Sequence, residues 1–165
     1  MKQEISALSQ ALHDEFVGEN LTLGTAESCT GGGVAQAIVS TPGASEYFKG
    51  GIVSYCNEVK ERLLNVSHQT LEEQTAVCEE VARQMVIGAC GALQVDFAVA
   101  LTGLAGPGGG TPEIPVGTIW IGYGSKDDVH THCLHGDYGR EDNLERAKLM
   151  ALQLITTYIH QNKRT

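Results

Sequence analysis

Apolar residues recur at helical spacing at the start of the chain, where Ile5, Leu8, Leu12 and Phe16 share one face, so the spacing predicts an amphipathic helix over about 3–18. "NLTLGTAES" then reads as a short strand from Leu21 to about Thr25, and "VAQAIVS" as a helix that stops before Pro42 and Gly43. "FKGGIVSYC" predicts a second strand and "NEVKERLL" a short helix after it. "SHQTLEEQTAVCEEVARQMVIGACGAL" holds two helical stretches, the second with a long apolar face. "VDFAVALTG" is apolar almost without a break between Asp96 and Gly103, the pattern of a buried strand. "LAGPGGGTPEIPVG" is a Gly/Pro loop, and the strand signals flanking it argue against a linker. "TIWIGYG" and "VHTHCLH" form a strand pair around the polar turn "SKDD", and a final helix spans about Glu141 to His160.

Strands and helices alternate throughout, which favours a layered α/β domain with helices on both faces of the sheet. The pair near the end makes a mixed sheet the better expectation than a purely parallel one. We therefore expect a three-layer α/β/α sandwich with a mixed, largely parallel sheet, as one domain over 1–165.

Composition narrows the function. The chain has 165 residues, 42% hydrophobic and 19% charged, the balance of a folded globular protein. A formal charge of -9 and an aromatic content of 5% argue against a nucleic-acid partner, which calls for phosphate neutralisation or base stacking. No apolar run approaches the roughly 20 residues that span a bilayer, so no membrane partner is expected. The first residues carry charges at helical spacing and no signal-peptide core, so the sequence reads as mature protein. Five cysteines, an odd number without a CxxC pair, fit reduced thiols in the cytoplasm better than a disulfide framework.

The stretch "TAESCTGGG" ends a strand and opens a helix, with Ser28 and Cys29 side by side before Thr30 and the glycines Gly31, Gly32 and Gly33. Helix N-terminal N–H groups lack internal partners and favour an oxyanion or phosphate, and glycine lets a ligand approach the backbone. The turn suits a nucleophile, a phosphate cradle, or merely a capped helix start with Ser28 as the cap. It is neither a P-loop nor a GxSxG elbow. Lys60 follows the apolar strand by a few residues; desolvated beneath a sheet, its neutral amine is a base, whereas on an open helix it is an ordinary surface charge. Tyr55 is placed to relay a proton or orient that amine. "TGLAGPGGGTPEIPVGT" leaves another strand end, where Thr102 and the following amides suit an anion, and Arg140 suits a bidentate phosphate contact. "HTHCLH" suggests zinc, but on a strand His130 and His132 share one face while Cys133 and His135 share the other, so no metal is expected.

"TAESCTGG", "GGIVSYCNEVKERLLNV", "TAVCEEVARQMVIGA", "VALTGLAGPGGG" and "PVGTIWIG", in this order, resemble the C-terminal domain of the competence-damage-inducible CinA family. The resemblance runs from about Leu21 to Ile159 and looks like a stand-alone member. It implies a nicotinamide-nucleotide amidase, which converts nicotinamide mononucleotide to nicotinic acid mononucleotide and ammonia without a cofactor. The family's serine falls on Ser28, its lysine on Lys60, its tyrosine on Tyr55 and its loop hydroxyl on Thr102. The implied catalytic set is Ser28, Lys60 and Tyr55. On that basis we expect Thr30, Gly31 and Gly32 to bind substrate, the Gly31–Gly33 amides with Thr102 receiving the oxyanion, and the loop of Gly103, Gly106 and Gly108 with Arg140 to hold the ribose-phosphate. A homo-oligomer is expected for the family. Two departures stand out. Cys78 replaces a common serine, and the family's "GDRxxVR" corresponds to "GDYGREDNLER", with its first arginine at Arg140 and its second position at Leu144 or Arg146. Two other readings use the same residues: a pyridine-nucleotide-binding module without catalysis, and a hydrolase that uses Cys29.

Overall fold

The computed structural model describes residues 1–162; positions 163–165 of the expected domain lie outside the described residues. In chain order the elements are α1 (Lys2–Phe16), β1 (Leu23–Glu27), α2 (Gly33–Val39), β2 (Phe48–Val53), α3 (Asn57–Leu64), α4 (His68–Gln74), α5 (Glu79–Leu93), β3 (Phe97–Gly103), β4 (Ile119–Ser125), β5 (Asp128–Leu134) and α6 (Arg140–Asn162). The sheet has five strands in the order β2-β1-β3-β4-β5. β1 pairs in parallel with β2 and β3, whereas β3–β4 and β4–β5 are antiparallel, so only β4 opposes the common direction. The expected three-layer sandwich and mixed sheet are present.

Period-two alternation assigns the strand residues to two cores. Leu23, Val99, Leu101, Ile119 and Ile121 pack under α1, α2 and α6. Ala26, Ala98 and Ala100 face α3, α4 and α5, where Leu64, Leu71, Val81, Met85 and Ala89 cover them. The small alanines on that face let α5 lie close to the sheet, and at Gly88 an added Cβ would run into the Leu64 carbonyl.

β1 begins at Leu23 rather than Leu21, because Thr22 is committed elsewhere: its N–H and hydroxyl both donate to Asp96 Oδ2, at 2.9 and 3.1 Å. Helix ends follow their local chemistry. Ser67 caps α4 by accepting from the Thr70 N–H at 3.2 Å, while Cys78 at the same position of α5 provides no side-chain cap and its thiol donates to the Thr75 carbonyl. Among the described residues, no helix is long and apolar enough to cross a membrane.

The chain leaves β1 through α2 on one face and β2 through α3–α5 on the other. The carboxyl ends of β1 and β3 therefore open onto a crevice that no connection covers, the usual ligand position in open α/β sheets.

Candidate active site

A cleft of about 220 Å³ lies at that crevice, lined by Ser28, Cys29, Tyr55, Gly103, Leu104, Ala105, Gly106, Gly108 and Arg140. Larger hollows lie between β5 and α6, about 460 Å³, and at the opposite end of the sheet, about 640 Å³. The second holds the Cys90 thiol near Lys126 and Asp96, but burial pushes that thiol up to about 11, and neither hollow joins a buried amine to a hydroxyl, so chemistry outweighs size in choosing the site.

Ser28 is the first residue after β1, and its N–H donates to the Leu101 carbonyl at 3.0 Å, which continues the sheet ladder and fixes the side chain. Lys60 sits on α3, only 1% exposed, and its Nζ donates to Ser28 Oγ at 2.9 Å and to the Ser54 carbonyl at 2.8 Å. Burial among apolar neighbours holds the Lys60 ammonium below the ordinary lysine value of 10.5, since the charged form loses its water. The amine is therefore oriented by Ser54, a residue the motif reading passed over. Tyr55 does not meet it. That side chain is 63% exposed at the mouth of the cleft, with its hydroxyl 3.4 Å from Arg140 Nη2, so orienting Lys60 is not its role.

The glycine turn differs from expectation in which amides are free. The Gly31 N–H donates to Ser28 O and the Gly33 N–H to Thr30 O, at 3.0 and 2.9 Å. The first amides of α2, Val34 and Ala35, donate to the Glu27 carboxylate at 2.9 and 3.0 Å, and the Thr30 hydroxyl joins them at 2.6 Å. The helix start, the Thr30 side chain and the Gly31 and Gly33 amides are thus occupied, which corrects the expected oxyanion turn at Gly31 and Gly33 but leaves the Gly32 N–H without an acceptor among the described residues. Among the described residues no other residue accepts from the N–H of Cys29, Thr30 or Gly32, and the Cys29 N–H lies against its own thiol.

Thr102 also departs from expectation. It is buried, its hydroxyl donates to the Ala76 carbonyl at 2.8 Å, and it does not line the cleft. It points to the face opposite Leu101, the consequence of alternation along β3, and anchors the loop between α4 and α5. Its neighbours Gly103, Gly106 and Gly108 do line the cleft.

Arg140 begins α6 and spans the opening: Nη1 donates to the Gly106 carbonyl at 2.7 Å. Arg146 instead stacks on Tyr138, 4.2 Å from the ring centroid, and Leu144 packs on the core. Asn143, 1% exposed, holds the region together by donating to Ala105 O and Asp137 Oδ1, both at 3.0 Å. Among the described residues, no group of three or more His, Cys, Asp or Glu is placed to hold a metal ion.

Residues 5–159 match the CinA C-terminal domain. The chain belongs to that family. It is 48% identical over 141 residues to a CinA-like protein of Leptospira interrogans, covering 85% of this chain but 34% of the relative. Against the Leptospira borgpetersenii CinA-like protein the covered share of the relative is 28%, so the chain spans about a third or less of these longer relatives. The nicotinamide-nucleotide amidohydrolase PncC of Escherichia coli K12 is 38% identical over 162 residues, covering 96% of this chain and 97% of that protein. Among solved structures, the competence/damage inducible protein CihA of Agrobacterium tumefaciens superposes with a TM-score of 0.89 at 37% identity, covering 92% and 93% of the two chains.

Proposed function

We propose that this protein is a serine amidase that hydrolyses the carboxamide of nicotinamide mononucleotide to nicotinic acid mononucleotide and ammonia. The observation that carries the reading is the buried Lys60 amine 2.9 Å from Ser28 Oγ. The similarity to the Escherichia coli amidohydrolase over nearly the full length of both chains supports the substrate.

In this reading neutral Lys60 takes the Ser28 proton as Oγ bonds to the carboxamide carbon. The Cys29 and Thr30 N–H groups, adjacent to the nucleophile, receive the developing oxyanion. Lys60 returns its proton to the amide nitrogen, the C–N bond breaks and ammonia leaves. Water then adds to the nicotinoyl ester and gives a proton to Lys60, and the ester C–O bond breaks as Lys60 passes that proton to Ser28 Oγ, which restores the serine and the neutral amine. Arg140 and the glycine loop hold the ribose-phosphate, so binding energy away from the amide positions it for attack. Cys29 offers its backbone but not its thiol. Burial, with the Glu27 charge adding to it, pushes that thiol up to about 11, leaving almost no thiolate at neutral pH.

The test is ammonia release from nicotinamide mononucleotide by wild type, Ser28→Ala and Lys60→Ala, with free nicotinamide as the control. Both variants lose turnover. Full activity in Ser28→Ala removes the nucleophile. Ligand-dependent thermal stabilisation without ammonia from wild type identifies a nucleotide-binding module instead.

A further inference from the structure

Glu27 is the one fully buried carboxylate among the described residues, at 0% exposure. A charge taken out of water costs heavily unless its oxygens are hydrogen-bonded, and here they are: Oε1 accepts from the Thr30 hydroxyl and the Val34 N–H, Oε2 from the Ala35 N–H. The residue at the cap position, Gly32, has no side chain and stands at φ 101, and no side chain of its own caps the helix. Glu27 takes over that function from the end of the preceding strand, at the positive end of the helix dipole.

This arrangement fixes more than a helix start. Between the Glu27 backbone and the two amides it binds lies the turn Ser28–Gly33, and the Thr30 contact pins that turn at its centre. On the other side, the Glu27 carbonyl accepts from the Ser54 N–H at 2.8 Å, and Ser54 in turn accepts from Lys60. One residue therefore links the segment bearing Ser28 to the segment that orients Lys60. By occupying Val34 and Ala35, it also leaves the N–H groups of the turn itself, those of Thr30 and Gly32 among them, as the donors open to a ligand.

We propose that Glu27 is a positioning residue that holds the Ser28 turn in its reacting geometry; this rests on Ser28 being the nucleophile. It touches no substrate. Its effect belongs to the bond-making step, not to nucleotide binding, because Arg140 lies on a separate element.

The test reads Ser28 directly. A fluorophosphonate probe esterifies a serine: the Oγ–P bond forms, fluoride leaves, and the hydroxyl proton passes to Lys60. Labelling rates by intact mass, with kcat and KM for ammonia release, are compared in wild type, Glu27→Gln and Ser28→Ala. Glutamine keeps the shape but turns an NH₂ donor toward one set of donors. We expect labelling and kcat to fall by about tenfold or more, with KM changed by less than about threefold. Wild-type labelling in a folded Glu27→Gln protein overturns the inference. Should that variant not fold, Thr30→Val decides, since it removes one of the three bonds: slowed labelling supports the role, an unchanged rate overturns it. Labelling of Ser28→Ala at the wild-type rate removes the nucleophile and the role of Glu27 with it. Glu27-dependent labelling without ammonia from nicotinamide mononucleotide supports the role and rejects only the substrate.

Discussion

Arg140 Nη1 donates to the Gly106 carbonyl at 2.7 Å, which ties the first residue of α6 to the glycine loop that follows β3. That bond holds the guanidinium at the edge of the cleft, while Arg146 is spent on the Tyr138 ring. Arg140→Ala is expected to raise KM for nicotinamide mononucleotide by about tenfold or more, the size of a lost charge-assisted bond, with a smaller change in kcat. Arg146→Ala stays near wild type. Steady-state kinetics on both variants decides between the two arginines, and the opposite order refutes the assignment.

Lys60 gives a signed pH dependence. In the proposed mechanism its amine is the base only when neutral, and burial lowers its pKa from 10.5, so kcat/KM is expected to rise with pH through a midpoint below that value and to level off above it. Lys60→Arg stays charged and inactive across the range. Stability follows the same sign. Between the folded and unfolded pKa values the folded chain binds fewer protons, so wild type gains stability as pH rises through that window and the gain is complete above about 10.4. Urea unfolding of wild type and Lys60→Met from pH 7 to 10 reads it out: wild type gains on the variant as pH rises. A difference that does not vary with pH contradicts a desolvated lysine.

Cys29 and Cys56 separate the thiols by exposure. Cys56 is exposed, whereas Cys29 is buried with its pKa near 11. Iodoacetamide at neutral pH is expected to label Cys56 and spare Cys29 by peptide mapping. Cys29→Ala is expected to keep kcat within about threefold, because the backbone N–H to which the proposed mechanism assigns the oxyanion remains. Loss of turnover in that variant revives the cysteine hydrolase.

Two glycines of α5 predict opposite outcomes for one substitution. Glycine to alanine in an exposed helix interior stabilises by about 0.8–1 kcal/mol. Gly91 has nothing within 4 Å of the added Cβ, so Gly91→Ala follows that rule. Gly88→Ala drives its methyl into the Leu64 carbonyl backbone, and overpacking of that kind costs about 1–3 kcal/mol. Thermal melts of the two variants should move in opposite directions. Because Leu64 ends the helix that carries Lys60, Gly88→Ala should also lose activity.

The layers were legible because they follow from periodicity. The buried run of β3, the faces of α1 and α5, and the β4–β5 pair need only neighbours in sequence. Ser28 and Lys60 stood out through motif matching, but their contact depends on β1 and α3 meeting across the sheet. Ser54 was not legible, since it acts through its backbone carbonyl and any residue type carries one. Asn143 left a readable signal: with Ala147, Ala151, Ile155 and Ile159 it marks the buried stripe of α6 at intervals of four, a polar residue on an apolar line. Glu27 left a similar one, a charge inside a strand whose following helix has glycine at its cap. Thr102 misled because motif position does not say which face of a strand a side chain takes.

For the proposed serine amidase, the joining of Ser28 to Lys60 also makes turnover a gauge of assembly. A chain that has formed its helices but not yet docked β1 beside β2 and β3 possesses a serine and a hydrated, protonated lysine, and neither reacts. Catalytic competence therefore arrives with long-range strand pairing, the slow part of building such a sheet, and not with the local structure that precedes it.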